Sequence, residues 1–224
     1  MQRVGVYFAL RDSDLLASVG AAWLGRDAMT NQIIPQPCLP DIAEVTADAR
    51  LYGFHATLKP PMRLTDGCDW NDLIRDTSAL AGRIAPFDLP PLAVADVHGF
   101  LALRETAPCL ALQALADICV AELDHLRAPP DPAELARRRR APLTPTQDAL
   151  LLRWGYPYVF GAWFFHMTLT QRLHVDEHAF WRPAAEDFFA PALRTRQTVR
   201  DICLFTQAAP GQDFILAARL PLRG

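Results

Sequence analysis

Lysine is almost missing from this chain: of 22 basic residues in 224 positions, Lys59 alone is a lysine. Positive charge is not in excess either. The 25 acidic residues leave a formal charge of −3, a poor balance for a protein living on nonspecific nucleic-acid affinity, though one that leaves room for a local basic cleft. No stretch approaches the roughly 20 continuous apolar residues of a membrane span. Arg3 followed by Val4 to Leu10 lacks the length and cleavage region of a signal peptide. The five cysteines, Cys38, Cys68, Cys109, Cys119 and Cys203, are odd in number and contain no Cys-x-x-Cys, which argues against a disulfide framework or a zinc finger. With 51% hydrophobic and 21% charged residues, the chain is neither disordered nor collagen-like and is long enough to bury a core without metals or crosslinks. The expectation is a soluble, cytoplasmic protein with no membrane contact; oligomeric state is not legible.

The opening RVGVYFAL alternates, with Val4, Val6 and Phe8 on one face of a strand and Gly5, Tyr7 and Ala9 on the other. A short helix using Leu15, Leu16, Val19 and Trp23 follows and stops at Gly25. Pro35, Pro37 and Pro40 mark a long connection. LYGFHATLKPP reads as a strand closed by Pro60 and Pro61. Helices are predicted over Asp69 to Arg83 and Thr106 to Arg127, with strand material in HGFLALR between them. Thr144-Pro145-Thr146-Gln147 forms a capping box for a helix ending near Trp154 and Gly155. Asp176 reads as the cap of the next helix, with Val175 and Phe180 as a hydrophobic staple and Pro183 as a bend. The C-terminal strands form a hairpin across Pro210-Gly211.

Two segments repeat: Phe54-His55-Ala56-Thr57-Leu58 and Phe165-His166-Met167-Thr168-Leu169, 111 residues apart. The side-chain period of a strand is two, so His and Thr share one face while the flanking apolar residues share the other. Random placement gives two His-x-Thr-Leu copies with a probability of roughly one in a thousand, so a duplicated site outweighs two ordinary polar strand positions. Histidine supplies both proton acceptor and donor near neutral pH, and each threonine hydroxyl can donate to an anionic oxygen. Two imidazoles and two hydroxyls, with Lys59 on the same predicted face, suit a phosphoryl centre needing no metal and no cofactor.

These residues resemble the paired His-x-Thr signature of the 2H phosphoesterase superfamily. YGFHATLKPPMRL, DPAELARRRRAPLTPTQDALLLRWGYPYV and FFHMTLTQRL resemble its phosphonate-metabolism branch across nearly the whole chain. The chain departs from that branch at Phe164, where a polar or basic residue is common, and at Gln171, where glycine is common. The resemblance implies a bilobal, duplicated α+β fold with antiparallel sheets lining a central cleft and helices outside. It further implies one domain over residues 1–224, with approximate lobes 1–105 and 106–224 and strands exchanged between them. It makes His55 and His166 the catalytic acid and base and Thr57 and Thr168 the phosphate-binding hydroxyls. The implied activity is that of a 2H-type cyclic phosphodiesterase: metal-independent hydrolysis of a small cyclic ribose phosphate linked to phosphonate degradation. Two alternatives stay open: an RNA 2′,3′-cyclic phosphate phosphodiesterase or ligase-like RNA-processing protein, and a noncatalytic phosphate- or nucleotide-binding protein.

Further substrate-binding candidates are Lys59, Tyr7, Arg63, Arg104, Tyr156 and Tyr158, the tyrosines as stacking surfaces and the cations as anion ligands. Arg137 to Arg140 read as a solvated basic face, with a small phosphorylated substrate or RNA phosphates as the functional alternatives. His174-Val175-Asp176-Glu177-His178 matches a metalloprotease pattern, but a cap at Asp176 leaves His174 off the helical face that zinc ligation requires.

Overall fold

The computed structural model describes residues 3–224. In chain order the strands are β1 (Arg3–Phe8), β2 (Arg26–Asp27), β3 (Gln32–Ile33), β4 (Ala56–Met62), β5 (Phe87–Asp88), β6 (Leu92–Val97), β7 (Phe100–Glu105), β8 (Met167–Arg172), β9 (Thr198–Val199), β10 (Asp201–Gln207) and β11 (Ile215–Pro221). The helices are α1 (Leu15–Leu24), α2 (Ile42–Val45), α3 (Ala47–Tyr52), α4 (Trp70–Ala81), α5 (Leu110–Glu122), α6 (Pro132–Arg138), α7 (Pro145–Trp154) and α8 (His178–Leu193). The seven longer strands form one antiparallel sheet in the order β11-β10-β1-β4-β8-β7-β6. Two-stranded pairs β2-β3 and β5-β9 stand apart from it. The architecture is α+β, with antiparallel sheets and flanking helices.

Alternation sorts the two faces of the large sheet. Val4, Val6 and Phe8 of β1, Ala56 and Leu58 of β4, Met167 and Leu169 of β8, and Leu101 and Leu103 of β7 enter one core with α1, α4, α5 and α8. Burying each larger side chain among them contributes about 1.5–3 kcal/mol. Trp23 of α1 anchors this layer: its ring packs against Trp181, Phe188 and Phe189, and its indole N–H donates to the Leu169 carbonyl at 2.9 Å. The odd-numbered residues of β1 face the other way, where Tyr7, with Ala9 just beyond the strand, joins Phe205 and Phe214 in a smaller cluster.

Local signals act as read at several ends. Gly25 takes the left-handed conformation (φ 79°) that stops α1. Asp69 and Thr144 close capping boxes with Asp72 and Gln147. Three readings need correction. Leu51 and Tyr52 end helix α3 rather than open a strand, and β4 runs through Pro60 and Pro61 instead of stopping there. The prolines are tolerated because β4 pairs with β8 at Ala56↔Met167 alone, so the later part of that edge requires no N–H donor. Asp176 does not cap α8. Glu177 accepts a hydrogen bond from the His174 N–H at 2.6 Å, pinning a 3₁₀ turn over Val175–Glu177 ahead of the helix and leaving Val175 88% exposed, without a staple. Pro183 lies inside α8, which continues to Leu193.

Candidate binding site

The single register Ala56↔Met167 determines the centre of the site. Continued one residue either way along antiparallel strands, it sets His55 opposite Thr168 and Thr57 opposite His166. Directly opposed residues lie about 5 Å apart at Cβ and diagonal ones about 7–8 Å at Cα, within reach of two imidazoles. Tyr7 pairs with Thr57 across β1 and β4, so all these side chains share the face turned away from α1, α4, α5 and α8. They line one cleft of about 230 Å³ with Arg3, Tyr52, Arg138 and Tyr156. The Trp163 indole N–H donates to the Thr57 carbonyl at 2.8 Å, tying the approach to β8 onto β4.

Both rings are oriented in the same way. His55 Nδ1 donates to the Gly53 carbonyl at 2.9 Å, and His166 Nδ1 donates to the Phe164 carbonyl at 3.1 Å; in each case the acceptor lies two residues earlier in the chain. That fixes Nε2 as the lone-pair nitrogen. The Thr57 hydroxyl donates to Nε2 of His55 at 3.2 Å. Burial pushes His55 down to about 4, with the nearby His166 adding to the fall. His166 is also lowered, by burial first and then by the charge of Arg104. Both rings are therefore neutral at pH 7.

Tyr7 forms the floor. Its ring stacks on His55 with centroids 3.9 Å apart and planes at 29°. Gly5, two residues earlier on the same face, leaves room for the phenol: a Cβ there would land inside the Tyr7 ring. The Tyr7 hydroxyl is buried without a hydrogen-bond partner among the described residues, and burial raises its pKa well above 10.

The structure brings His55, His166, Thr57, Thr168, Tyr7 and Tyr156 to the cleft and leaves the other sequence candidates outside it. Lys59 is 1% exposed on the helix-covered side, where Nζ donates to the Val120 carbonyl at 3.0 Å and lies 3.4 Å from Asp124. The cause is a bulge. The register steps from Tyr7↔Thr57 to Val6↔Lys59, so Leu58 is an extra residue and the alternation that would aim Lys59 at the cleft is lost. Arg63 donates to the Pro129 carbonyl at 3.0 Å and lies 3.5 Å from Glu134, so it anchors α6. Arg104 stacks over the Phe164 ring at 5.1 Å, and Tyr158 packs edge-on against Tyr156.

Sequence reasoning missed Arg3 and Tyr52, and it left Arg138 unresolved within its basic run. Arg137 and Arg139 meet acids, Glu134 at 3.9 Å and Asp148 at 2.7 Å, whereas Arg138 lies over the Tyr156 ring at 4.6 Å. No pattern within the basic run sets Arg138 apart from its neighbours. In the His174 to His178 motif, His178 Nδ1 lies 3.3 Å from Asp96. Among the described residues no group of three His, Cys, Asp or Glu side chains is placed to hold a metal ion. No helix among them is long and apolar enough to cross a membrane.

Comparison with known proteins adds three findings. The fold resembles that of E. coli LigT in complex with 3′-AMP (TM-score 0.45, 15% identity, covering 100% of this chain and 99% of that one). It also resembles a structure described as a phosphoesterase (TM-score 0.45, 13% identity, 100% of both chains). Among curated proteins, the chain is 39% identical over 233 residues to a protein of Janthinobacterium sp. (strain Marseille) and 36% identical over 217 residues to one of Laribacter hongkongensis (strain HLHK9), matches that cover 100% and 96% of this chain. Both are named ribose 1,5-bisphosphate phosphokinase PhnN. The chain spans about half the length of these relatives, 51% and 50%. Their names overturn the expectation of a 2H-type cyclic phosphodiesterase, and with it the terms hydrolase, phosphoesterase and cyclic phosphate: the relatives that match nearly the whole chain are named as phosphokinases. The third finding is a family model, described as a protein of unknown function (DUF1045), that matches residues 57–215, and the chain belongs to that family.

Proposed function

We propose that this chain is a binding module for a phosphorylated ribose, with a phosphate seated between the two His-x-Thr motifs. The observation that carries the reading is the Ala56↔Met167 register, which sets each histidine opposite the other motif's threonine across one cleft. The ligand class follows from the relatives, whose name specifies ribose 1,5-bisphosphate. The chain has no Gly-x-x-x-x-Gly-Lys loop to cradle nucleotide phosphates, and its lysine is buried behind the sheet. Recognition of the ribose phosphate is therefore the share of the relatives' chemistry assigned to this half. We further propose that the chain belongs to the phosphonate-metabolism branch of the 2H superfamily, as one domain whose two lobes arose by duplication. Supporting this are the repeated motif on neighbouring strands and the layout of the sheet, in which β6 and β7 stand beside β8 while β10 and β11 stand beside β1.

Neutral histidines dictate how the phosphate binds. Each Nε2 is an acceptor, so a phosphate monoester seated there contributes a P–O–H donor or binds together with a proton taken from solvent. The Thr57 hydroxyl then turns from His55 Nε2 and, with the Thr168 hydroxyl, donates to the remaining oxygens. Binding at pH 7 and above is thus coupled to proton uptake, and affinity falls as pH rises. Calorimetry with ribose 5-phosphate in buffers of different ionisation enthalpy tests this. The expected result is one site, net proton uptake, and at least tenfold weaker binding in His166→Gln and Thr168→Val. Absence of binding, or affinity unchanged in both variants, would remove the reading.

A further inference from the structure

The cleft extends beyond the histidines, and its outer end carries positive charge without a counterion. Arg3, Gly5 and Tyr7 alternate onto the cleft face of β1, and the Tyr7 ring lies over Gly5, so its hydroxyl points from His55 toward Arg3. Arg3 is oriented in advance. Nε and Nη2 donate to Gln207 Oε1 at 2.8 and 2.6 Å, and Gln207 Nε2 donates to the Gln212 carbonyl at 2.6 Å, which fixes the amide with its oxygen toward the guanidinium. Two bonds to one neutral oxygen leave the other guanidinium hydrogens available. Arg138 reaches the same cleft from α6, flattened on Tyr156. Among the described residues neither Arg3 nor Arg138 has a carboxylate within 4.0 Å, although Arg137 and Arg139, on either side of Arg138, both do.

We propose that Arg3 and Arg138 form a second anion subsite, so that the cleft takes a pentose carrying two phosphates. One phosphate sits at the His-x-Thr pair, and the second is clamped by the two guanidiniums. Asp48, which also lines the cleft, would repel a third anion and accept from the sugar hydroxyls instead. Planar guanidiniums suit this role because they bind phosphate oxygens in pairs. This inference rests on the ribose-phosphate reading and adds the number and spacing of the charges.

The test is calorimetric titration of the full chain with ribose 5-phosphate and with ribose 1,5-bisphosphate at fixed ionic strength. The bisphosphate should bind about 10- to 100-fold more tightly, the effect expected of charge-assisted hydrogen bonds to a second phosphate. Arg138→Gln, on a helix with no buried residue, should erase most of that difference while leaving ribose 5-phosphate affinity within about twofold. Arg3→Gln should do the same, with its circular dichroism spectrum and unfolding midpoint confirming an intact fold. Equal affinity for both ligands in the parent protein, or an Arg138→Gln variant that weakens both equally, would overturn the second subsite and leave the first standing. Failure of either ligand to bind the parent protein would overturn both.

Discussion

Replacing Lys59 with methionine separates a lysine that serves the fold from one that serves the ligand. Nζ is buried against the end of α5, donating to the Val120 carbonyl, which lies among the last carbonyls of that helix and lacks an intrahelical partner. Burial pushes the lysine down from 10.5 to about 8 despite the pull of Asp124. Between pH 8 and 10.5 the unfolded chain still binds this proton while the folded chain has lost it, so the unfolding free energy rises with pH across the window. At about 1.4 kcal/mol per pH unit, the whole window contributes roughly 3 kcal/mol. Lys59→Met removes that dependence. At pH 7 the orphaned carbonyl costs about 1–3 kcal/mol, offset by relief of a buried charge, while Asp124 keeps Arg127 and Arg153 as partners. The variant should therefore lie within about 2 kcal/mol of the parent at pH 7. The parent should then gain roughly 3 kcal/mol over it by pH 10.5. Urea unfolding followed by tryptophan fluorescence at pH 7, 8.5 and 10.5 measures the gap. Other groups that titrate here, such as the Cys203 thiol that burial raises to about 11, are common to both proteins. Parallel curves would refute the reasoning, and a drop in ribose 5-phosphate affinity would return Lys59 to the cleft.

Two further outcomes follow from the floor and wall of the cleft. Gly5→Ala drives a methyl group into the Tyr7 ring and should cost about 1–3 kcal/mol while shifting the His55 ring resonances; unchanged resonances would show that the stack does not depend on Gly5. The unfolded His55 gains its proton near pH 6.5 and the folded ring only at about 4, so stability through this residue falls as pH drops across that window, by roughly 3 kcal/mol. His55→Gln should flatten this part of the stability profile, and a variant as acid-sensitive as the parent would contradict the neutral, half-buried ring.

How much of this was legible in the sequence depends on whether local chemistry or long-range pairing decides each feature. Strand alternation foretold which face of β1 carries Tyr7, and the capping boxes at Asp69 and Thr144 marked two helix starts, because these features are settled within a few residues. The His-x-Thr repeat pointed to a shared cleft through its period of two. Lys59 was misplaced because a bulge arises from the pairing of β4 with β1, which no pattern within β4 reveals. Arg3 escaped notice because its orientation depends on Gln207, at the far end of the chain. Arg138 is distinguished from its neighbours only once Glu134 and Asp148 are seen to take Arg137 and Arg139.

The central claim is that His55 and His166 share one phosphorylated ligand. Long-range ¹H–¹⁵N spectra of the imidazole nitrogens, recorded while ribose 5-phosphate is added, test it most directly. Both Nε2 resonances should move from the unprotonated range with a single dissociation constant and a stoichiometry of one. Movement of one ring alone, two separate affinities, or no movement at saturating ligand would contradict the account.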